Sequence, residues 1–508
     1  MSRRGSARAP RVTTGEESEA SVASRPSGLL IGGEWLEEGE LAPVLDKYAG
    51  TPVAEVRHAS PAHVERAVAA AAAHAAGHPL DPRGRSDVLC AAAQRLMDRK
   101  DEVVADYVAE TGFTQTDAET ELARTVETLT LCAGEALRLT GEVVPLAAAP
   151  GSETRLCFTV RVPVGVVGAI APFNAPLNTV AHKIGPALAA GNPVVLKPAL
   201  MTPLSSIHLC AALLDAGLPG PYLSLVVGPG SKTGQSLVED RRVRYFTFTG
   251  STQVGLQIKQ RSGIAKTHLE LGGNCATIVC EDADLSLAAE LLVRGGYRKA
   301  GQVCTSVQRV LVVEDVADEL EGLVAERVRA LAVGNPHLPG TQVGPMISEP
   351  ERVRAARMVR QAVGVGARLV TGGDGDGPLL APTLLADVPD DAELMSDEIF
   401  APVIAMRRVA DLADGVKLAN ATRYGLQAGV FTQDLDRALW AAVHLDVGGV
   451  MVNDTSSYHA DLMPYGGRRD SGYGLEGPRY AVMDMTDPRT IVINRRKPPG
   501  AEDRPRGG

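Results

Sequence analysis

Cys304 stands in the stretch AGQVCTSVQR (300–309), and such a cysteine has two uses. Its thiolate can attack an electrophilic carbon, or its thiol can pack as a small hydrophobe, which is the commoner fate. The decapeptide alone leaves both open. Two other stretches have the character of phosphate sites. GPGSKTG (228–234) follows an apolar run, so its glycines could hold a turn near a phosphate, although its spacing departs from GxGxxG. FTFTGSTQVG (246–255) reads as a strand, a small-residue turn and a helix opening at Ser251. Unpaired N–H groups and a positive dipole end suit that helix start to a pyrophosphate.

The surrounding pattern says what must position these residues. From about residue 160, the short β-branched runs VPVGVVGAIAP, NPVVLKPA, LSLVVGPG and VRYFTFTGS alternate with the helical segments NTVAHKIGPALAAG and LSSIHLCAALLDAGLP. That alternation predicts a parallel, doubly wound sheet, which binds ligands at the carboxyl ends of its strands. Ahead of it, LLIGGEW (29–35) reads as strand and turn. HASPAHVERAVAAAAAHAAG reads as a helix capped by Ser60 with Glu65 nearby. RSDVLCAAAQRLMDRKDEVVADYVAETG and DAETELARTVETLTLCAGEALRL each show apolar residues at helical spacing. A second alternating segment runs from THLELGGNCATIVCEDADL (267–285) through RVLVVEDV and ARLVTGG to GGVMVND. The Gly-rich MPYGGRRDSGYGLEG and a last strand, TIVIN (490–494), follow.

At 508 residues the chain should divide into two or three domains. Its net charge of −10 argues against nonspecific nucleic-acid binding, which needs a basic face. The seven cysteines (Cys90, Cys132, Cys157, Cys210, Cys275, Cys280 and Cys304) form no CxxC pair, which points to a reducing compartment and to no zinc site. The early arginines lack a following apolar stretch, and no window is long and apolar enough for a membrane span. A cytoplasmic protein, with residues 1–27 and 498–508 as disordered tails, is the expectation.

PFNAPLNTVAHKIGPALAAGNPVVLKPA, FTGSTQVG, LELGGN, AGQVCTSVQR and EIFAPV occur in this order, and together they resemble the NAD(P)-dependent aldehyde dehydrogenase superfamily over residues 28–495. The ending MPYGGRRDSGYGLEGPRYAVMDMT is similar to the branch holding lactaldehyde and nonphosphorylating glyceraldehyde-3-phosphate dehydrogenases. The resemblance implies an α/β fold with a Rossmann-type cofactor domain (28–145 and 164–268), an α/β catalytic domain (269–479) and β oligomerisation arms (146–163 and 480–497). A homodimer or homotetramer is implied with them.

By the same resemblance, Cys304 is the nucleophile, Asn174 in PFNAP donates to the oxyanion, and Glu270 in LELGGN activates water against the thioester. Acylating relatives typically lack that glutamate, so a free carboxylic acid is the implied product. Lys197, Gly228, Gly250, Ser251 and Glu398 are implied at the cofactor. Where many NAD-preferring members read KPSE, this chain reads KPAL; Ala199 and Leu200 thus remove a carboxylate that would repel a 2′-phosphate. NAD or NADP is expected, with NAD favoured because the motif holds no arginine.

Aromatic residues total only 4%, which favours a small hydroxylated or anionic aldehyde. Val303 stands where relatives acting on phosphorylated or phosphonylated aldehydes often carry arginine. Arg124, Arg298, Lys299, His459 and Arg468 are the basic candidates for holding an anionic group at the substrate mouth. Lys299 replaces the asparagine usual in relatives. The competing readings are an acylating or phosphonoaldehyde-type dehydrogenase and a catalytically silent scaffold.

Overall fold

The structure, a computed structural model, describes residues 28–77 and 80–495. Both expected tails lie outside the described residues.

Strands buried on both faces favour apolar runs, and four largely apolar runs with the more polar Lys266–Glu270 form the centre of an eight-stranded sheet. In spatial order they are Leu223–Val226, Val194–Lys197, Val166–Ile170, Val243–Thr249 and Lys266–Glu270, all parallel. Short antiparallel strands close both edges: Leu29–Ile31 with Glu34–Trp35 on one side and Gly472–Tyr473 on the other. The strand order reverses between Val166–Ile170 and Val243–Thr249, and a crevice opens beyond their carboxyl ends at such a switch point.

The chain then crosses through Gly272, Gly273 and Asn274 into a seven-stranded sheet centred on Ala276–Val279 and Arg309–Val313. Arg309, the last residue of AGQVCTSVQR, is 2% exposed. Its guanidinium donates to the carbonyls of Asn274, Leu418 and Ala419, which ties the crossing segment to the second sheet. A third sheet joins Arg155–Pro163 antiparallel to Thr486–Asn494 over nine residue pairs, with Val143–Val144 beside them.

Several local expectations need correction. Ser60 does cap the helix Pro61–Ala75, but its reciprocal partner is His63 rather than Glu65, because the capping geometry requires the third helical residue. The segment 85–112 is two helices, Pro82–Asp98 and Lys100–Thr111, broken at Arg99. Of the arm 480–497, residues up to Asp484 end the helix Pro478–Asp484, and 496–497 lie outside the described residues.

Candidate active site

A cavity of about 1090 Å³ lies at the reversal point and runs between the two larger sheets. Asn174, Lys197, Gly250, Ser251, Glu270, Cys304 and Glu398 all line it. Gly228 does not. A Cβ there would strike the Thr233 hydroxyl, which itself donates to the Ala59 carbonyl at 3.0 Å. The smallness of residue 228 therefore serves packing beneath the loop, and the cavity is lined instead by Gly230, Ser231 and Gly234.

Cys304 is held by an unusual backbone. Lys299, Ala300 and Gly301 have φ of 51°, 53° and 67°, in the left-handed region that L side chains rarely adopt. Side chains farther along the motif fix this turn. Gln302, fully buried, donates to the carbonyls of Lys299 and Pro345 and accepts from Ile347 N. Ser306 donates to Gly295 O, and Gln308 bridges Gly273 O and Ile399 N. Burial pushes the Cys304 thiol well above its usual range, and the Glu270 carboxylate adds to this.

Glu270 ends the strand Lys266–Glu270 and is 2% exposed. Burial, with the Glu476 carboxylate next in importance, raises its pKa to about 8. Glu476 goes the other way: burial would raise it, but the cations around it outweigh that, with Lys183 donating at 3.2 Å. Between sulfur and carboxylate stands Tyr465, whose hydroxyl lies 2.9 Å from Cys304 Sγ and donates to Glu270 Oε1 at 2.9 Å.

On the cofactor side, Ser251 caps the helix Thr252–Arg261, leaving its N-terminal amides toward the cavity. A Cβ at Gly250 would come within 2.6 Å of Phe248 Cζ, so only bare backbone fits beside the helix start. Lys197 is 6% exposed, its pKa drawn down to about 8 by burial, and it donates to Pro198 O at 3.1 Å. Glu398 accepts from Gly273 N at 3.0 Å, and burial lifts its carboxyl to about 7. An anion-binding helix start with a lysine and a carboxylate to reach ribose hydroxyls is a donor set that fits a dinucleotide.

The basic candidates separate into two groups. Arg124 forms a fork on Asp461, at 3.0 and 2.7 Å, and meets His459 Nδ1 at 2.6 Å. Asp461 also accepts from Asn178 and His182, each at 2.9 Å; burial would raise its carboxyl, but the bonds and charges of His182 and Arg124 outweigh that and hold it far below the usual range. Burial first, and then Arg124, lower the pKa of His459 to about 3, so its ring is neutral. That ring packs edge-on to Tyr465, 4.7 Å between centroids. Arg298 donates to Ser457 Oγ at 3.2 Å, and its charge is felt by both Arg124 and Cys304. Arg124 and His459 thus meet beside Tyr465, and Arg298 lies near enough to Cys304 for their charges to interact, although none of the three is among the residues that line the cavity.

Arg468 and Lys299 lie elsewhere. Arg468 is exposed and pairs with Asp446 at 2.6 Å. Lys299 is 8% exposed; it pairs with Glu121 and donates to the backbone carbonyl of Asn174 at 3.0 Å. Burial would raise the Glu121 carboxyl, but the Lys299 charge and hydrogen bonds from Lys299, Tyr107 and Leu177 leave it lowered. Glu121 also accepts from Asn178 N at 3.1 Å. Lys299 is therefore a strut beneath the Asn174 loop. Lys299→Met strands a buried carboxylate, so it should destabilise the protein by about 3–5 kcal/mol, which a denaturant titration measures.

A buried carboxylate and a cysteine thus line one cavity together with a donor set that fits a dinucleotide. The aldehyde dehydrogenase family pattern matches residues 35–491. The 3-sulfolactaldehyde dehydrogenase of Priestia megaterium is 44% identical over 467 residues, 92% of this chain and 98% of that protein. The lactaldehyde dehydrogenase of Methanococcus aeolicus is 34% identical over 92% of this chain and 100% of its own length. Among solved structures, the NADP-dependent glyceraldehyde-3-phosphate dehydrogenase of Bacillus halodurans, complexed with NADP, superposes with a TM-score of 0.90 at 36% identity. It covers 93% of this chain and 100% of that one. The chain belongs to the aldehyde dehydrogenase family, and it is an NAD(P)-dependent enzyme of that kind.

Four participants escaped the motif-based reading: Tyr465, Glu476, Asp461 and Glu121. The first two stand inside the quoted Gly-rich segment, and that was the one available signal. Among the described residues, no helix is long and apolar enough to cross a membrane.

Proposed function

We propose that this enzyme oxidises a small hydroxylated, anionic aldehyde to its carboxylic acid, without an acyl acceptor other than water. The observation that carries the reading is that Cys304 is linked through Tyr465 to the buried Glu270, with the Arg298 charge felt at Cys304 and the Arg124–His459 pair packed on Tyr465. The names of the sulfolactaldehyde and lactaldehyde enzymes among its relatives support the substrate class.

Cys304 attacks the carbonyl carbon and forms a tetrahedral thiohemiacetal. Its oxyanion is held by the Asn174 amide and the Cys304 N–H, and one such donor is worth about 2.7–4 kcal/mol of barrier. NAD(P) supplies the hydride acceptor when bound in the crevice. Glu270 then takes a proton from water as its oxygen attacks the Cys304 thioester. Lys197 and Glu398 orient the two riboses, and Gly250 with Ser251 receives the pyrophosphate. Ala199 and Leu200 leave room for a 2′-phosphate, but no arginine replaces them in the motif, which favours NAD over NADP.

The free cysteines fit a cytoplasmic location. The division into cofactor, catalytic and arm segments belongs to the same reading. Exposed Val143, Leu156, Val492 and Ile493 on the third sheet suit a homodimer or homotetramer. The substrate assignment is tested with an Arg124→Ala, Arg298→Ala double variant. Loss of buried charge partners costs about 2–5 kcal/mol, so kcat/KM for a sulfonated or phosphorylated aldehyde should fall about 30-fold or more, with a neutral aldehyde little changed. Equal losses for both, or none, would remove the anionic substrate.

A further inference from the structure

Cys304 Sγ, Tyr465 Oη and Glu270 Oε1 form an unbroken hydrogen-bonded line, with 2.9 Å at each step. A phenol has one proton. When Glu270 is ionised, that proton is given to the carboxylate, so the phenol oxygen presents a lone pair to the sulfur and accepts from the thiol. We propose that Tyr465 is a catalytic residue of the first chemical step: a relay that passes the Cys304 thiol proton to Glu270 as the sulfur attacks the aldehyde. The S–H bond breaks while a Tyr465 O–H bond forms. The original phenolic proton moves to Glu270, Tyr465 ends neutral, the sulfur electron pair makes the C–S bond, and Glu270 releases its proton to solvent before it serves as base on the attacking water.

The surroundings fix this line. Tyr465 is 6% exposed, with its backbone paired to Glu476 in both directions and its ring against His459. The charged and titratable groups facing the line are Glu476, Glu398, Cys275, Lys183, Arg298 and neutral His459. Glu270 also feels the sulfur directly, but the phenol is the partner within 2.9 Å of both. In so buried a pocket a free thiolate is scarce, and a relay removes the proton only when attack consumes the charge.

The inference rests on Cys304 as nucleophile and Glu270 as acceptor. It is tested in the full-length enzyme by iodoacetamide alkylation across a pH series, with the modified residue located by peptide mass spectrometry. Tyr465→Phe should slow alkylation of Cys304 by about tenfold or more at a pH above 8, where Glu270 is ionised, and move its pH profile upward, with NAD(P)H affinity unchanged. Glu270→Gln should move the profile the same way, and the double variant should be no slower than the slower single. A folded Tyr465→Phe with the parent profile overturns the relay, as does a double variant slowed by the product of the two singles. Should Tyr465→Phe fail to fold, a Glu270→Gln profile identical to the parent overturns it equally. Alkylation at a cysteine other than Cys304 would instead refute the nucleophile assignment itself.

Discussion

Cys304→Ala should lose at least about 10⁴-fold in kcat for aldehyde oxidation, the scale on which enzymes lose a covalent nucleophile, while still binding NAD(P)H. The cavity-lining residues Lys197, Ser251 and Glu398 hang on other segments, Lys197 at a strand end and Ser251 at a helix start. Removing one sulfur leaves them in place. The buried Gln302, Ser306 and Gln308 likewise hold the motif without help from the cysteine side chain. A fluorescence titration of NAD(P)H paired with an initial-rate assay separates binding from chemistry. Retained turnover would mean that the sulfur at 304 is packing after all, and that one of the other six cysteines or none reacts.

The second large effect is at Glu270. Glu270→Gln keeps the shape and loses the base, so hydrolysis should slow about 10²- to 10⁴-fold. Because the variant can still form the thioester, slowly, it should release one equivalent of reduced cofactor per site and then nearly stop. The sign with pH follows from the raised pKa of about 8. Below that value Glu270 is protonated and cannot take a proton from water, so hydrolysis should fall about tenfold per pH unit on the acid side and level off above it. Rapid-mixing absorbance across a pH series reads both effects. A linear time course at the parent rate in Glu270→Gln would place the base elsewhere.

What could be read in the sequence was what sits in short contiguous runs. Lys197 and Glu270 end strands, Ser251 opens a helix and Cys304 follows a turn, so each carries its structural context in its own neighbours. Tyr465 could not be placed that way. Its partners are 161 and 195 residues distant, and its loop is held near them by the edge strand Gly472–Tyr473 on Lys266–Glu270 and by backbone pairing with Glu476. Lys299 misled for the same reason. Beside AGQVC it reads as a charge at the substrate mouth, but a partner 178 residues away, Glu121, turns it inward beneath Asn174. Gly228 failed differently: a glycine after a strand suits a phosphate loop and a close side-chain contact equally well, and here the contact is Thr233.

Aldehyde oxidation with a preference for a small anionic substrate is the activity proposed for this enzyme. It is tested most directly by initial rates of NADH and NADPH formation with lactaldehyde, its sulfonated form, glyceraldehyde 3-phosphate and a neutral alkyl aldehyde of equal length. Turnover is expected, with an anionic member favoured over the alkyl aldehyde by about 10²-fold or more in kcat/KM, roughly 2.7 kcal/mol of discrimination. Equal specificity for the charged and alkyl aldehydes, or a requirement for a thiol acyl acceptor before any turnover, would contradict it.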